Sequence, residues 1–160
     1  MIEIRIKIQR VAEEVHLRSY YQGETLKRKD PDDVSVQSGD DDMIVLRPMI
    51  ETSLSELVSL MMKRVRHVDW EITDEDEMVV SIQAYPRIPH SDEARVAKLM
   101  ERSMTDYLSL RTLQQWYGTV KPEIRGTVEE ELIRAGAAVG KYVSMISGNI
   151  RRRSTDLAGI

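Results

Sequence analysis

The first nine residues restrict the fold more than any other stretch of the chain. Ile2, Ile4, Ile6 and Ile8 alternate with Glu3, Arg5, Lys7 and Gln9. Successive side chains of a strand point to opposite faces, so this period of two predicts a half-buried β-strand, which β-branched isoleucine suits. A strand needs partners for its backbone amides and carbonyls. Two later segments supply them. His67–Ile72 places Val68, Trp70 and Ile72 on one side, and Met78–Tyr85 places Met78, Val80, Ile82 and Ala84 on one side with Val79 on the other. Thr73-Asp74-Glu75-Asp76-Glu77 joins them as a hairpin turn, and Pro86 and Pro89 end the second strand. An isolated hairpin is marginal in water. The expectation is therefore a small three-stranded antiparallel sheet, the N-terminal strand plus hairpin 67–85, with helices covering its apolar face.

The rest of the chain reads as helix and loop. Val11 and Val15 stand four apart in a short N-terminal helix, Val11 to Tyr21, which Gly23 is placed to stop. Residues 24–42 read as a long acidic loop carrying Asp30, Asp32, Asp33, Asp40, Asp41 and Asp42, whose last aspartates are placed to cap the next helix. That helix runs from Met43 to Val65, with Leu46, Ile50, Leu54, Leu57, Met61 and Val65 on its buried face and Pro48 in its first turns. Ser91-Asp92-Glu93-Ala94 starts another, carrying Val96, Met100, Met104, Tyr107, Leu110, Leu113 and Tyr117 to a stop at Gly118. Thr127 and Glu130 form a capping box for the last helix, whose apolar row is Val128, Leu132, Ala135, Val139, Tyr142 and Ile146. A length of 160 residues suits one domain with a substantial core, and 41% hydrophobic with 31% charged residues excludes a disordered chain. The fold class is α+β: three long helices plus a short N-terminal helix on the sheet. Residues 1–153 form the domain, and Ser154 to Ile160 form a flexible tail unless a partner orders them.

Several chemistries fail on residue type or spacing. The chain has no cysteine, which removes disulfides, thiolate metal sites and cysteine nucleophiles. A calcium loop counted from Asp30 has Ser35 where the turn needs glycine and Asp41 where a bidentate glutamate belongs. Gly136-Ala137-Ala138-Val139-Gly140-Lys141 is one residue short of a phosphate loop, and Tyr142 replaces the magnesium-binding hydroxyl. His16, His67 and His90 make no metal-binding pair, and no serine lies in G-x-S-x-G. The expectation is a protein with no catalytic residues, no metal and no cofactor. The start lacks the unbroken apolar run of a signal peptide, and no run is long enough to span a membrane. A net charge of −4 disfavours a dedicated nucleic-acid binder while leaving room for a local basic patch.

Surface features point instead to contacts. Gly136, Gly140, Ser144 and Gly148 recur every four residues along the last helix. Interior glycine costs about 1 kcal/mol relative to alanine, and a row of small side chains lets a neighbour approach closely, either within the chain or from another subunit. Trp116 and Tyr117 are candidate partner anchors or core residues at a helix end. Arg151, Arg152 and Arg153 complement the last helix's negative end or contact phosphates. Nine methionines permit a deformable interface or a soft helical core.

The layout resembles a known class. A charged N-terminal strand, Val11-Ala12-Glu13-Glu14-Val15 leading to Tyr20-Tyr21, an acidic loop, a long helix, a hairpin and two helices follow in order, with Tyr107-Leu108-Ser109-Leu110 and Gln114-Gln115-Trp116-Tyr117 in the first of these. This is similar to small proteins of the head–tail modules of tailed phages and prophages, some of them head–tail connector or completion proteins that assemble in rings. The resemblance implies a non-catalytic virion or assembly role, in the particle or the host cytoplasm, with partners drawn from copies of itself and other virion proteins. It transfers no functional residues. A nucleic-acid-associated regulator using the terminal arginines is the alternative expectation.

Overall fold

The computed structural model describes residues 1–83 and 90–146; the end of the second hairpin strand at Ala84 and Tyr85, Gly148, Arg151, Arg152, Arg153 and the 154–160 tail lie outside them. Strand β1 spans Ile2–Lys7 and alternates buried and exposed along its whole length. It pairs antiparallel with β3 (Glu77–Ile82), Ile4 opposite Val80, and β3 pairs antiparallel with β2 (Val68–Ile72). The three-stranded antiparallel sheet is the one expected, and its order is β1-β3-β2. Trp70 lies opposite Val80 yet remains 42% exposed, because β2 is an edge strand. The hairpin closes where the Thr73 N–H donates to the Glu77 carbonyl at 2.9 Å, with Asp76 in the left-handed region at φ 58°. Aspartate tolerates that conformation at the last position of a three-residue hairpin loop.

The N-terminal helix departs from the expectation. Helix α1 is Ile8–Lys29, 22 residues rather than a short one, and it begins directly on β1. Its Ile8 N–H, one of the donors a helix start leaves unpaired, donates to the Asp76 carbonyl of the hairpin turn at 2.9 Å. Gly23 does not stop it. A Cβ there would stand 2.8 Å from Gln37 Cγ, so the glycine makes room for a returning loop. Lys27, Arg28 and Lys29 occupy the last turn, where cations face the helix's negative end. The acidic loop consequently shrinks to the stretch from Asp30 to a short 3-10 turn at Asp40–Asp42. The aspartate side chains do not cap the following helix; Asp42 instead accepts the Gly39 N–H at 2.8 Å.

Helix α2 (Met43–Met62) holds Pro48 in its second turn and buries Leu46, Ile50, Leu54, Leu57 and Met61. Helix α3 (Glu93–Val120) runs through Gly118, the second failed glycine stop. Pro122 ends it instead: the residue before a proline avoids helical backbone, and Lys121 sits at φ −157°, ψ 83°. A 3-10 stretch, Pro122–Val128, leads to α4 (Glu129–Ile146). The expected capping box is absent on its Thr127 side: Thr127 lies within the 3-10 stretch, and its hydroxyl donates back to the Ile124 carbonyl at 2.7 Å.

Helix α3 is the central element, touching β1, α1, α2 and α4. Its contact with α2 is partly polar. Ser53 and Thr112 are fully buried with their hydroxyls 3.2 Å apart, and Gln115 Nε2 donates to Ser53 Oγ at 3.0 Å. At the surface of the same contact Arg111 grips Glu56 with two hydrogen bonds, 2.6 and 3.1 Å. These groups satisfy each other, so the polar seam does not penalise burial. The apolar core joins Ile2, Ile4, Ile6 and Ile8 to α1, α2, α3 and α4. Ile4 is 1% exposed. Ile4→Ala is expected to lower unfolding free energy by about 3 kcal/mol, measured as a shift of the urea midpoint with unchanged slope.

Candidate functional site

A groove of about 460 Å³ opens between the C-terminal half of α2 and the first turns of α4, floored by Tyr107 of α3. Leu57, Leu60 and Met61 form one wall, and Leu132, Ile133 and Ala137 the other. The lips stay in solvent: Leu60 is 40% and Ile133 66% exposed, and farther along α4 Met145 is 58% exposed. Two glycines of α4 line the groove. A Cβ on Gly136 would meet the Tyr107 ring at 3.6 Å, and one on Gly140 would meet Arg64 Cζ at 3.0 Å. The Arg64 guanidinium lies across Gly140, donating from Nη1 to its carbonyl at 3.3 Å and to Ser144 Oγ at 2.9 Å. Along Gly136, Gly140 and Ser144, then, the small side chains receive an arginine and a tyrosine of the same chain. Burial, reinforced by the Glu56 charge, pushes the Tyr107 phenol above its ordinary pKa.

Trp116 and Tyr117 do not serve as exposed anchors. They are 6% and 1% exposed. Their helix continues past them to Val120, and both pack in the core. The Trp116 indole N–H donates to the Val36 carbonyl at 2.7 Å and pins the loop before α2. Lys121 pairs with Asp33 at the loop's other end and holds that carboxyl below its usual range.

A second cluster was invisible in the spacing. His16 of α1 meets Ser38 of the loop, Nδ1 to Oγ 2.7 Å, and Ser38 Oγ lies 3.2 Å from Ser19 Oγ. Asp40 approaches His16 Nε2 only to 3.7 Å, beyond a hydrogen bond, and that nitrogen is buried without a hydrogen-bond partner. Ser38 is held further by its own N–H, which donates to Ser19 Oγ at 3.0 Å. Serine, histidine and aspartate thus meet where the loop crosses α1, and their contacts staple loop to helix. Among the described residues no group of three or more His, Asp or Glu side chains is placed to hold a metal ion, and no helix is long and apolar enough to cross a membrane.

Two outcomes follow from these contacts. Gly140→Ala is expected to raise stability by up to about 1 kcal/mol, because the new methyl meets the movable end of Arg64; thermal melting tests it. Burial pushes the Tyr117 phenol up to about 12. The unfolded chain releases that proton near the ordinary value of about 10, so between these values the unfolded state binds fewer protons and stability falls as pH rises. Tyr117→Phe is expected to flatten that alkaline loss in melts at stepped pH.

Comparison with family models, with curated proteins and with solved structures finds no match for this chain.

Proposed function

We propose that this chain is a non-catalytic assembly protein of a tailed-phage or prophage particle, of head–tail connector or adaptor type, working through protein–protein contacts. The observation that carries the protein-contact reading is the groove between α2 and α4, apolar on both walls and ringed by exposed Leu60 and Ile133. Water is a poor solvent for such a surface, and contiguous exposed apolar area marks interaction sites. The outer side of α2 adds Ile44, 86% exposed, and Met62, 53% exposed. A helix apolar beyond its buried face gains free energy when a partner covers the remainder. The phage setting rests on the layout resemblance described above.

Light scattering across a concentration series, with negative-stain imaging, tests this reading. Discrete oligomers or rings, or capture of neighbouring virion proteins, are expected. A strict monomer at high concentration with no affinity for those proteins overturns it.

A further inference from the structure

The exposed residues of α4 carry a pattern of their own. Ile133, Ala137, Lys141 and Met145 are all exposed and stand four apart, forming one row about 18 Å long at 1.5 Å per residue. Charge is polarised along the same helix. Glu129, Glu130 and Glu131 occupy its first turn, while Lys141 lies on its second half and Lys63 is among the residues lining the groove. Glu130 pairs with Arg134 and Glu131 with Arg18, but Glu129, Lys63 and Lys141 have no ion pair among the described residues.

We propose that the occupant of the groove is a second copy of this chain, docked across a two-fold axis through Ala137 with the two α4 helices antiparallel. This rests on the assembly reading above and names the partner for its surface. An antiparallel helix is the orientation in which one copy's acidic first turn meets the other's basic half. With the axis at Ala137, a residue four positions before it faces one four positions after it. Ile133 of each copy then lies against the aliphatic stem of the other's Lys141 and at the mouth of the other's groove, beside Leu60. Glu129 and Glu130 come within reach of the other's Lys141. The small side chain at Ala137 allows the helices to approach at the axis, where residue 137 meets its own equivalent. A parallel arrangement would set like charges together at both ends, which is unfavourable. Because the contact is isologous, each interaction occurs twice, and each substitution counts twice.

The edge strand β2 offers no comparable self-contact. Antiparallel pairing of two copies about Trp70 would set Asp69 against Glu71, and opposed like charges destabilise a strand pair.

The experiment is sedimentation equilibrium on the full chain, its K141E variant and its E129K/E130K variant, each checked by circular dichroism for an intact fold. The wild type is expected to dimerise or to form assemblies of even subunit number. Each variant alone is expected to dissociate about tenfold more readily, from repulsion at two symmetric contacts. An equimolar mixture of the two is expected to regain wild-type affinity, because the heterodimer restores opposite charges at both. Ala137→Glu, at an exposed position, is expected to abolish dimers by placing two charges at the axis. Self-association that none of these variants changes overturns this geometry and leaves the assembly reading standing. A wild type that stays monomeric while capturing virion proteins also overturns this proposal alone. A monomer that captures nothing overturns both.

Discussion

The structure depends on covering one face of β1. Ile2, Ile4 and Ile6 on that face, with Ile8 at the start of α1, are all 1–2% exposed and cannot remain in water without large loss of hydrophobic free energy. Covering them requires a sheet to complete the backbone pairing and a helix to lie over the apolar side. Helix α3 fills the second role, and because it touches α1, α2 and α4 as well, it transmits the position of the sheet to every other helix. The hairpin turn adds a second link. The Asp76 carbonyl receives the first free amide of α1, and its carboxylate pairs with Arg47 of α2 at 2.6 Å. One turn residue thus ties the sheet to two helices.

The loop between α1 and α2 is held by side chains, not by packing of its own apolar residues, Val36 excepted. Trp116, Ser19 and His16 grip it from helices, and Lys121 does so from just past the end of α3. Most of its aspartates serve local turns or an ion pair. The grip of Gln37 on Gly23 belongs to the same set of contacts.

Glycine receives side chains at the groove as well. Where α4 passes α2, Tyr107 and Arg64 lie against Gly136 and Gly140, and apolar lips remain in solvent. The feature that looked in the sequence like a helix–helix contact surface thus holds side chains from its own chain. The outward-facing row beside it, at Ile133, Ala137 and Met145, is what remains for a partner.

By itself the sequence determined the elements with a clear period. The Ile2 to Ile8 alternation, the hairpin and the buried face of α2 were legible because one face in water and one in a core forces the pattern onto the residues. The helix ends expected at Gly23 and Gly118 were misplaced: α1 continues through Gly23, which receives the distant Gln37, and α3 continues through Gly118 to the local stop at Pro122. Tyr117 was legible as buried from its place in the apolar row of α3, and Trp116 takes the core alternative that its position at the helix end offered. The groove, the Arg64 crossing and the His16–Ser38 staple join residues 22 to 80 positions apart. Such contacts leave no local period, because they depend on where the chain returns in space, and only the tertiary structure decides that.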